Sequence, residues 1–163
     1  MAFSTNPRIL SRSGHGVPEI IEILEANSQS FTTGALVYDA GGSASGQATV
    51  VATDGTTIMG IAQKAGTNVS SGNITIPVEV INPGDRVAIQ CYDTSDGAVK
   101  AASNFLKGKG YGLILVSGVH YIDFDETTSD ACVFIEPLDS TNKPYWAVVQ
   151  FLSSVLQPSG KAV

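Results

Sequence analysis

At 163 residues the chain has the length of one ordinary domain, enough to bury roughly two-thirds of its unfolded surface without disulfide or metal support. With 43% hydrophobic and 15% charged residues, against about 25% charged in a typical soluble domain, it is neither a disordered chain nor a coiled coil. So little charge implies that part of the surface is covered by another molecule or another copy. The net charge of −6 and the scattering of its 9 basic residues leave no positive track for a nucleic-acid backbone.

Residues 1–18 are mostly small, polar, Pro and Gly, with Phe3, Ile9 and Leu10 as isolated apolar side chains and Arg8 and Arg12 as cations. They have no apolar run of the secretory type, so the chain is expected to stay where it is made. Unable to build a core, they read as an extended N-terminal arm, either frayed or ordered on a partner surface. Next, Val17, Ile20, Ile21 and Leu24, with Glu19, Glu22 and Glu25 opposite, fit a short amphipathic helix opened by Pro18 or a strand. The isoleucines and the β-rich context favour the strand.

From there short apolar runs alternate with turn chemistry, the pattern of an all-β domain. Strands are predicted over 35–39, 48–53, 58–63, 73–81, 86–92, 111–116, 120–124, 131–136 and 146–152. Over 73–81, Ile74, Ile76, Val78 and Val80 alternate with Thr75, Pro77 and Glu79, the period of two of a half-buried strand. Pro77 cannot donate to a ladder, which predicts an edge strand or a bulge. The Asn82-Pro83-Gly84-Asp85 turn then predicts a hairpin onto 86–92, with Val87, Ile89 and Cys91 on one side. The Gly/Ser loop 41–46 has no means of packing. The fold class is therefore all-β: a single β-sandwich or β-barrel-like domain of about ten short strands, spanning 19–157 between the arm and a C-terminal tail, 158–163. Its longest apolar stretch, 111–122, is far short of the roughly 20 residues of a spanning helix, so no membrane partner is expected.

Chemistry is thin. Nucleophilic catalysis of the Ser/His or Cys/His type needs an imidazole. The chain offers only His15, between two glycines, and His120, in a predicted strand. No G-x-S-x-G elbow occurs. Gly108 to Gly112 fits neither phosphate-binding spacing and reads as a turn. Cys91 and Cys132 each sit in an apolar run, as small buried thiols do. The acidic cluster Asp123, Asp125, Glu126 and Asp130 reads as a solvated loop or a weak cation site without EF-hand spacing. No cofactor and no enzymatic activity are expected.

The stretch from Phe31 to Gln90 contains a Gly-led GALVY strand, a Gly/Ser-rich turn, GTTIMGIAQKAGT and IPVEVINPGDRV. It resembles the capsid decoration, or cement, proteins of tailed double-stranded DNA bacteriophages. The resemblance implies a structural virion protein made in the bacterial cytoplasm. Such a protein binds the outer surface of an expanded icosahedral shell and clamps neighbouring subunits of the major capsid protein lattice, often as a trimer. It also implies docking by a terminal segment: here Phe3, Ile9 and Leu10 as apolar anchors, with Arg8 and Arg12 facing shell carboxylates. Deleting residues 1–17 is then expected to abolish shell binding and leave the fold intact. Tyr145 and Trp146 are candidate interface aromatics, Trp146 alternatively belonging to the core. A second reading is a carbohydrate- or receptor-binding β-module, for which Tyr92, Tyr111 and Tyr121 would have to share a face.

Overall fold

The computed structural model describes residues 6–13, 17–40, 47–71 and 73–157. Phe3, His15, the Gly/Ser loop and the C-terminal tail lie outside them. The described chain is all-β, its one helical element being a 3-10 turn at Ala102–Asn104. Five strands close a barrel: β2 (Ile20–Glu25), β3 (Leu36–Asp39), β4 (Gln47–Val50), β5 (Gly60–Ala62) and β6 (Thr75–Val80), in the order β2-β4-β3-β5-β6. An eight-stranded sheet is built from β1 (Arg8–Ser11), β7 (Arg86–Asp93), β8 (Ala98–Val99), β9 (Gly110–Tyr111), β10 (Leu113–Val116), β11 (Val119–Asp123), β12 (Cys132–Asp139) and β13 (Lys143–Phe151). Its order is β10-β11-β7-β13-β12-β9, with β1 and β8 also on β7.

The segment at 20–25 is a strand. Ile21 and Ile23 pack toward the barrel interior, which is filled by Phe31, Ala35, Val37, Ala48, Met59, Ala62, Ile76 and Val78. A second core lies between barrel and sheet. Leu36, Val51, Ile58 and Ile61 leave the barrel wall and meet Val87, Ile89, Cys91, Leu113, Ile122, Phe134, Ala147 and Val149. Strands β3 and β5 are therefore apolar on both faces, because each face looks into a core. Gly60 in β5 approaches β6 so closely that a Cβ would stand 2.2 Å from the Glu79 carbonyl oxygen.

Two sequence expectations are corrected. Strands β6 and β7 are not a hairpin: β6 pairs β2 and β5 inside the barrel, whereas β7 pairs β1, β8, β11 and β13 in the sheet. The Asn82–Asp85 turn is the crossing between them. Nor is β6 an edge strand. Pro77 stands opposite Glu22 in β2, and the ladder bonds there are made by alternate residues, Val80 N–H to Glu19 and Glu25 N–H to Ile74, so the proline nitrogen points away from β2. On its other side Gln63 donates to the Pro77 carbonyl at 2.8 Å. The return bond needs an N–H that proline lacks, and β5 ends at Ala62.

The N-terminal segment is also built into the body. Strand β1 lies antiparallel along β7, Arg8 opposite Ala88 and Ile9 opposite Val87. Beyond it Arg12 reaches Glu79 at 2.5 Å, Asp85 at 3.5 Å and the Val80 carbonyl at 3.1 Å. The side chains of Arg12 and Asp85 are 8% and 0% exposed. Asp85 further accepts from the backbone N–H of Ser13 at 2.8 Å and of Asn82 at 3.0 Å. Gly84, at φ +91°, shapes the turn, and Ser13 packs where its Cβ would be.

The other end of the chain is stitched to the barrel. Ile58 donates to Val155 at 2.7 Å, and Gln157 donates back to Ile58 at 2.8 Å. The Gln157 side-chain amide then pairs with both backbone groups of Asp39, at 2.7 and 2.9 Å. At the end of β2, Glu25 is fully buried. Burial raises its pKa, but bonds from the Thr67 hydroxyl (2.6 Å), the Thr67 N–H and the Asn68 N–H (3.2 Å) outweigh that and hold the carboxyl below its ordinary range. The free edge of β10 is covered by the loop after β4, where Asp54 donates to Leu113 at 2.9 Å and Thr53 accepts from Leu115 at 3.2 Å.

Replacing Asp85 by Ala leaves two backbone donors without their acceptor and takes one of two carboxylates from a nearly buried guanidinium, so urea unfolding should show a loss of about 3 kcal/mol. Arg86→Ala is the contrast. Its contact with Glu136 at 3.5 Å joins two side chains more than half exposed and should cost less than about 1 kcal/mol.

Candidate functional site

Of the residues expected to dock on a partner, Arg12 and Ile9 are taken up by the fold itself. The charge of Arg12 is matched by Glu79 and Asp85, and Ile9 packs against the core between barrel and sheet. Arg8 lies over the Trp146 ring, 5.7 Å from its centroid. Trp146 is 7% exposed, buried in β13 under Arg8, the core alternative of its two sequence readings. Leu10 and Tyr145 remain open, 39% and 44% exposed. Phe3 lies outside the described residues. Deleting residues 1–17 therefore removes β1 and the Arg12 anchor, and cannot serve as a fold-neutral truncation.

Exposed apolar side chains lie also on and just before β2, and singly at Val99 and Leu106. Ile20 and Leu24 point outward from the barrel wall, 57% and 49% exposed, and Val17 just ahead of them is 73% exposed. Their outward neighbours on β6 are Glu79 opposite Ile20, Pro77 opposite Glu22 and Thr75 opposite Leu24. With Ile21 and Ile23 inward, the outer face of β2 carries Ile20 and Leu24 on either side of the exposed Glu22. The sheet covers β3 and β5; among the described residues nothing covers the outer face of Ile20 and Leu24. Sequence periodicity hid this strip, because IIEIL reads equally as the inner face of a helix.

The three tyrosines do not share a face. Tyr111 is buried, ring to ring with Phe105 at 4.8 Å. Tyr92 and Tyr121 are partly exposed neighbours across β7 and β11, with centroids 5.3 Å apart.

The acidic cluster converges, with Asp54, which the sequence reading missed because it lies some 70 residues away in the chain. Asp123, Asp125 and Glu126 line a cleft of about 280 Å³ with Thr53, Asp54, Thr94, Ser95 and Ile114. Burial first, then repulsion from Glu126 and Asp123, raises the Asp54 pKa. The other carboxylates are occupied. Asp123 accepts from the Thr94 hydroxyl and, at 3.3 and 3.2 Å, from the Thr94 and Asp125 N–H groups. Asp125 accepts from Ser95 at 2.9 Å, pinning the β7–β8 turn to the end of β11. Glu126 accepts from Thr128 N–H, Thr128 hydroxyl and Ser129 N–H at 2.6, 2.5 and 2.7 Å, and these bonds put its pKa below the ordinary range. Asp130 packs against Gly110, away from this set. Among the described residues no group of three or more His, Cys, Asp or Glu is placed to hold a metal ion. The cluster thus works as turn-fastening carboxylates.

His120 is buried between barrel and sheet, with backbone partners on both ring nitrogens, Leu36 N–H and the Val51 carbonyl. Among the described residues neither a hydroxyl nor a thiol is in hydrogen-bond contact with it. Cys91 and Cys132 are unpaired and buried, and burial pushes both thiols far above their ordinary pKa. Iodoacetamide at pH 8 should therefore leave both unmodified in the native protein and alkylate both in guanidinium, read by intact mass.

No known protein family, curated protein or solved structure matches the chain.

Proposed function

We propose that the chain is a structural virion protein. In this reading it binds the outer surface of the expanded icosahedral capsid of a tailed double-stranded DNA bacteriophage and stabilises contacts between major capsid subunits. The observation that carries the reading is β2: a barrel strand whose outer face leaves two large aliphatic side chains, Ile20 and Leu24, uncovered on either side of Glu22. Large aliphatic side chains held open together on a rigid strand mark a contact surface, and in this reading another molecule covers them. Two further points support it. The stretch that resembles decoration proteins, Phe31 to Gln90, supplies β3 through β6 and the start of β7. The carboxylates, thiols and imidazole that could do chemistry are engaged in turns or core.

A decoration protein needs no reaction. By binding only the assembled lattice it stabilises that lattice by mass action, by about 2.7 kcal/mol per site at a hundredfold excess over its dissociation constant. Many copies on one shell multiply the effect. The docking surface in this reading is the Val17–Ile20–Leu24 strip, with exposed Leu10 as a second apolar contact, and copies associate as a trimer on the virion exterior after synthesis in the bacterial cytoplasm.

A second reading, a carbohydrate- or receptor-binding module, has the Tyr92–Tyr121 pair in its favour; stacked aromatics would carry it.

Co-sedimentation with undecorated expanded shells distinguishes the two. The protein should saturate the shells at a fixed stoichiometry, and a double change of Ile20 and Leu24 to Asp should weaken binding more than tenfold while leaving the melting temperature within a few degrees. A wild-type protein that stays in the supernatant, together with glycan binding lost in Tyr121→Ala, would transfer the assignment to the second reading. Undiminished binding by the double variant would move the docking surface off β2.

A further inference from the structure

His120 occupies an unusual place in the backbone network. Strands β3 and β4 pair Val37 with Val50, so their register sets Leu36 opposite Val51. One of the two hydrogen bonds of that pair is present, from Val51 N–H to the Leu36 carbonyl at 3.0 Å. The reciprocal bond is replaced by the imidazole. Leu36 N–H donates to Nδ1 at 3.1 Å, and Nε2 stands 2.8 Å from the Val51 carbonyl. A carbonyl can only accept, and an N–H can only donate, so the ring is held neutral with its proton on Nε2. The side chain of a sheet residue is spliced into the end of a barrel ladder.

We propose that His120 is an acid-released pin between barrel and sheet: a proton added at Nδ1 sets one N–H against another, and the Leu36–Val51 end of the barrel opens while the sheet keeps its own ladders. Burial depresses the imidazole pKa to about 4, with the Val51 bond acting in the opposite direction. The sign follows from linkage. In the opened form the imidazole returns toward its ordinary value near 6.5, so the open form binds more protons between about pH 6.5 and pH 4. The closed form is favoured above that window and loses ground as pH falls through it. The titratable groups on the surrounding elements are Tyr38 and Asp39 of β3, Asp54 beyond β4, Cys91 and Tyr92 of β7, and Tyr121 and Asp123 beside His120 on β11. Both ring nitrogens are taken by backbone, so none of these holds the proton in place.

Amide hydrogen exchange by NMR on the full chain tests the pin. After correction for intrinsic rates, Leu36 should lose more than about tenfold of its protection between pH 6.5 and pH 4.5. The β12–β13 amides of Phe134 and Val149 should hold theirs. Ring nitrogen shifts at pH 7 should report the Nε2–H tautomer, and the loss at Leu36 should track the ring titration. Unchanged protection at Leu36, loss in step with β12–β13, or an Nδ1–H tautomer would each overturn the proposal. His120→Gln removes the titration; if it folds, Leu36 should become insensitive to pH across the window, and persistence of the acid loss would assign it to carboxylates instead. If it does not fold, the wild-type ring titration and exchange profile decide alone.

Discussion

One carboxylate holds the place where the chain changes from barrel to sheet. Asp85 has no exposed side-chain surface. It closes its own turn through Asn82, receives Ser13, and faces Arg12, which also grips Glu79 on β6. Burying a charge in this way is tolerable only when its lone pairs have donors, and here the donors come from two stretches of chain, the turn itself and the segment of Arg12 and Ser13. Because the turn is fixed, β7 leaves it at a set angle and register. Both edges of β7 are then filled, by β1 and β11 on one side and by β13 and β8 on the other. The sheet is organised around the strand that Asp85 launches.

The second organising fact is that barrel and sheet share a core rather than abutting with polar faces. Leu36 and Ile61 are outward residues of the barrel, yet they are buried because the sheet's inner face supplies Ile89, Ile122 and Phe134. The apolar surface removed from water at this junction is the main cohesive term between the two parts. The backbone stitches around it, from Thr53, Asp54, Ile58 and Gln157, settle the polar groups that burial would otherwise leave without partners. By that standard β2 is the exception: its inner face has a core and its outer face has none.

How much of this is legible in the sequence depends on the range of the interaction. Period-two alternation is local, so β6 and β7 and the burial of Val78, Ile89 and Cys91 are readable from Thr75 to Asp93. So is the all-β class, and the strand character of 20–25. Pairing is not local. Asn-Pro-Gly-Asp is good turn chemistry, and a hairpin is the ordinary consequence, but β6 was already saturated by β2 and β5, so the turn had to become a crossing. The N-terminal segment misled for a related reason. Arg-Ile-Leu-Ser is too short and too polar to announce a strand, and what makes it one is an open edge on β7 and two carboxylates some 67 and 73 residues downstream. Trp146 could be read either way, because an aromatic in a terminal strand carries no sign of which face it occupies. Asp54 joined the acidic cleft through the fold alone.

The stitching of residues 155–157 onto the barrel bears on how the molecule comes into being. Strands β2 to β6 lie in the first half of the chain, yet Ile58 and Asp39 find their last backbone partners in Val155 and Gln157, while β1 waits for β7. Contacts of such sequence separation carry a loop-closure cost that must be met before they repay it. The barrel strands are thus synthesised well before the residues that complete them. Until residues 155–157 leave the ribosome, the barrel wall near Ile58 and the outer face of β2 are open together. Association between unfinished chains is then governed by how soon this wall is closed, a quantity separate from the depth of the final free-energy well.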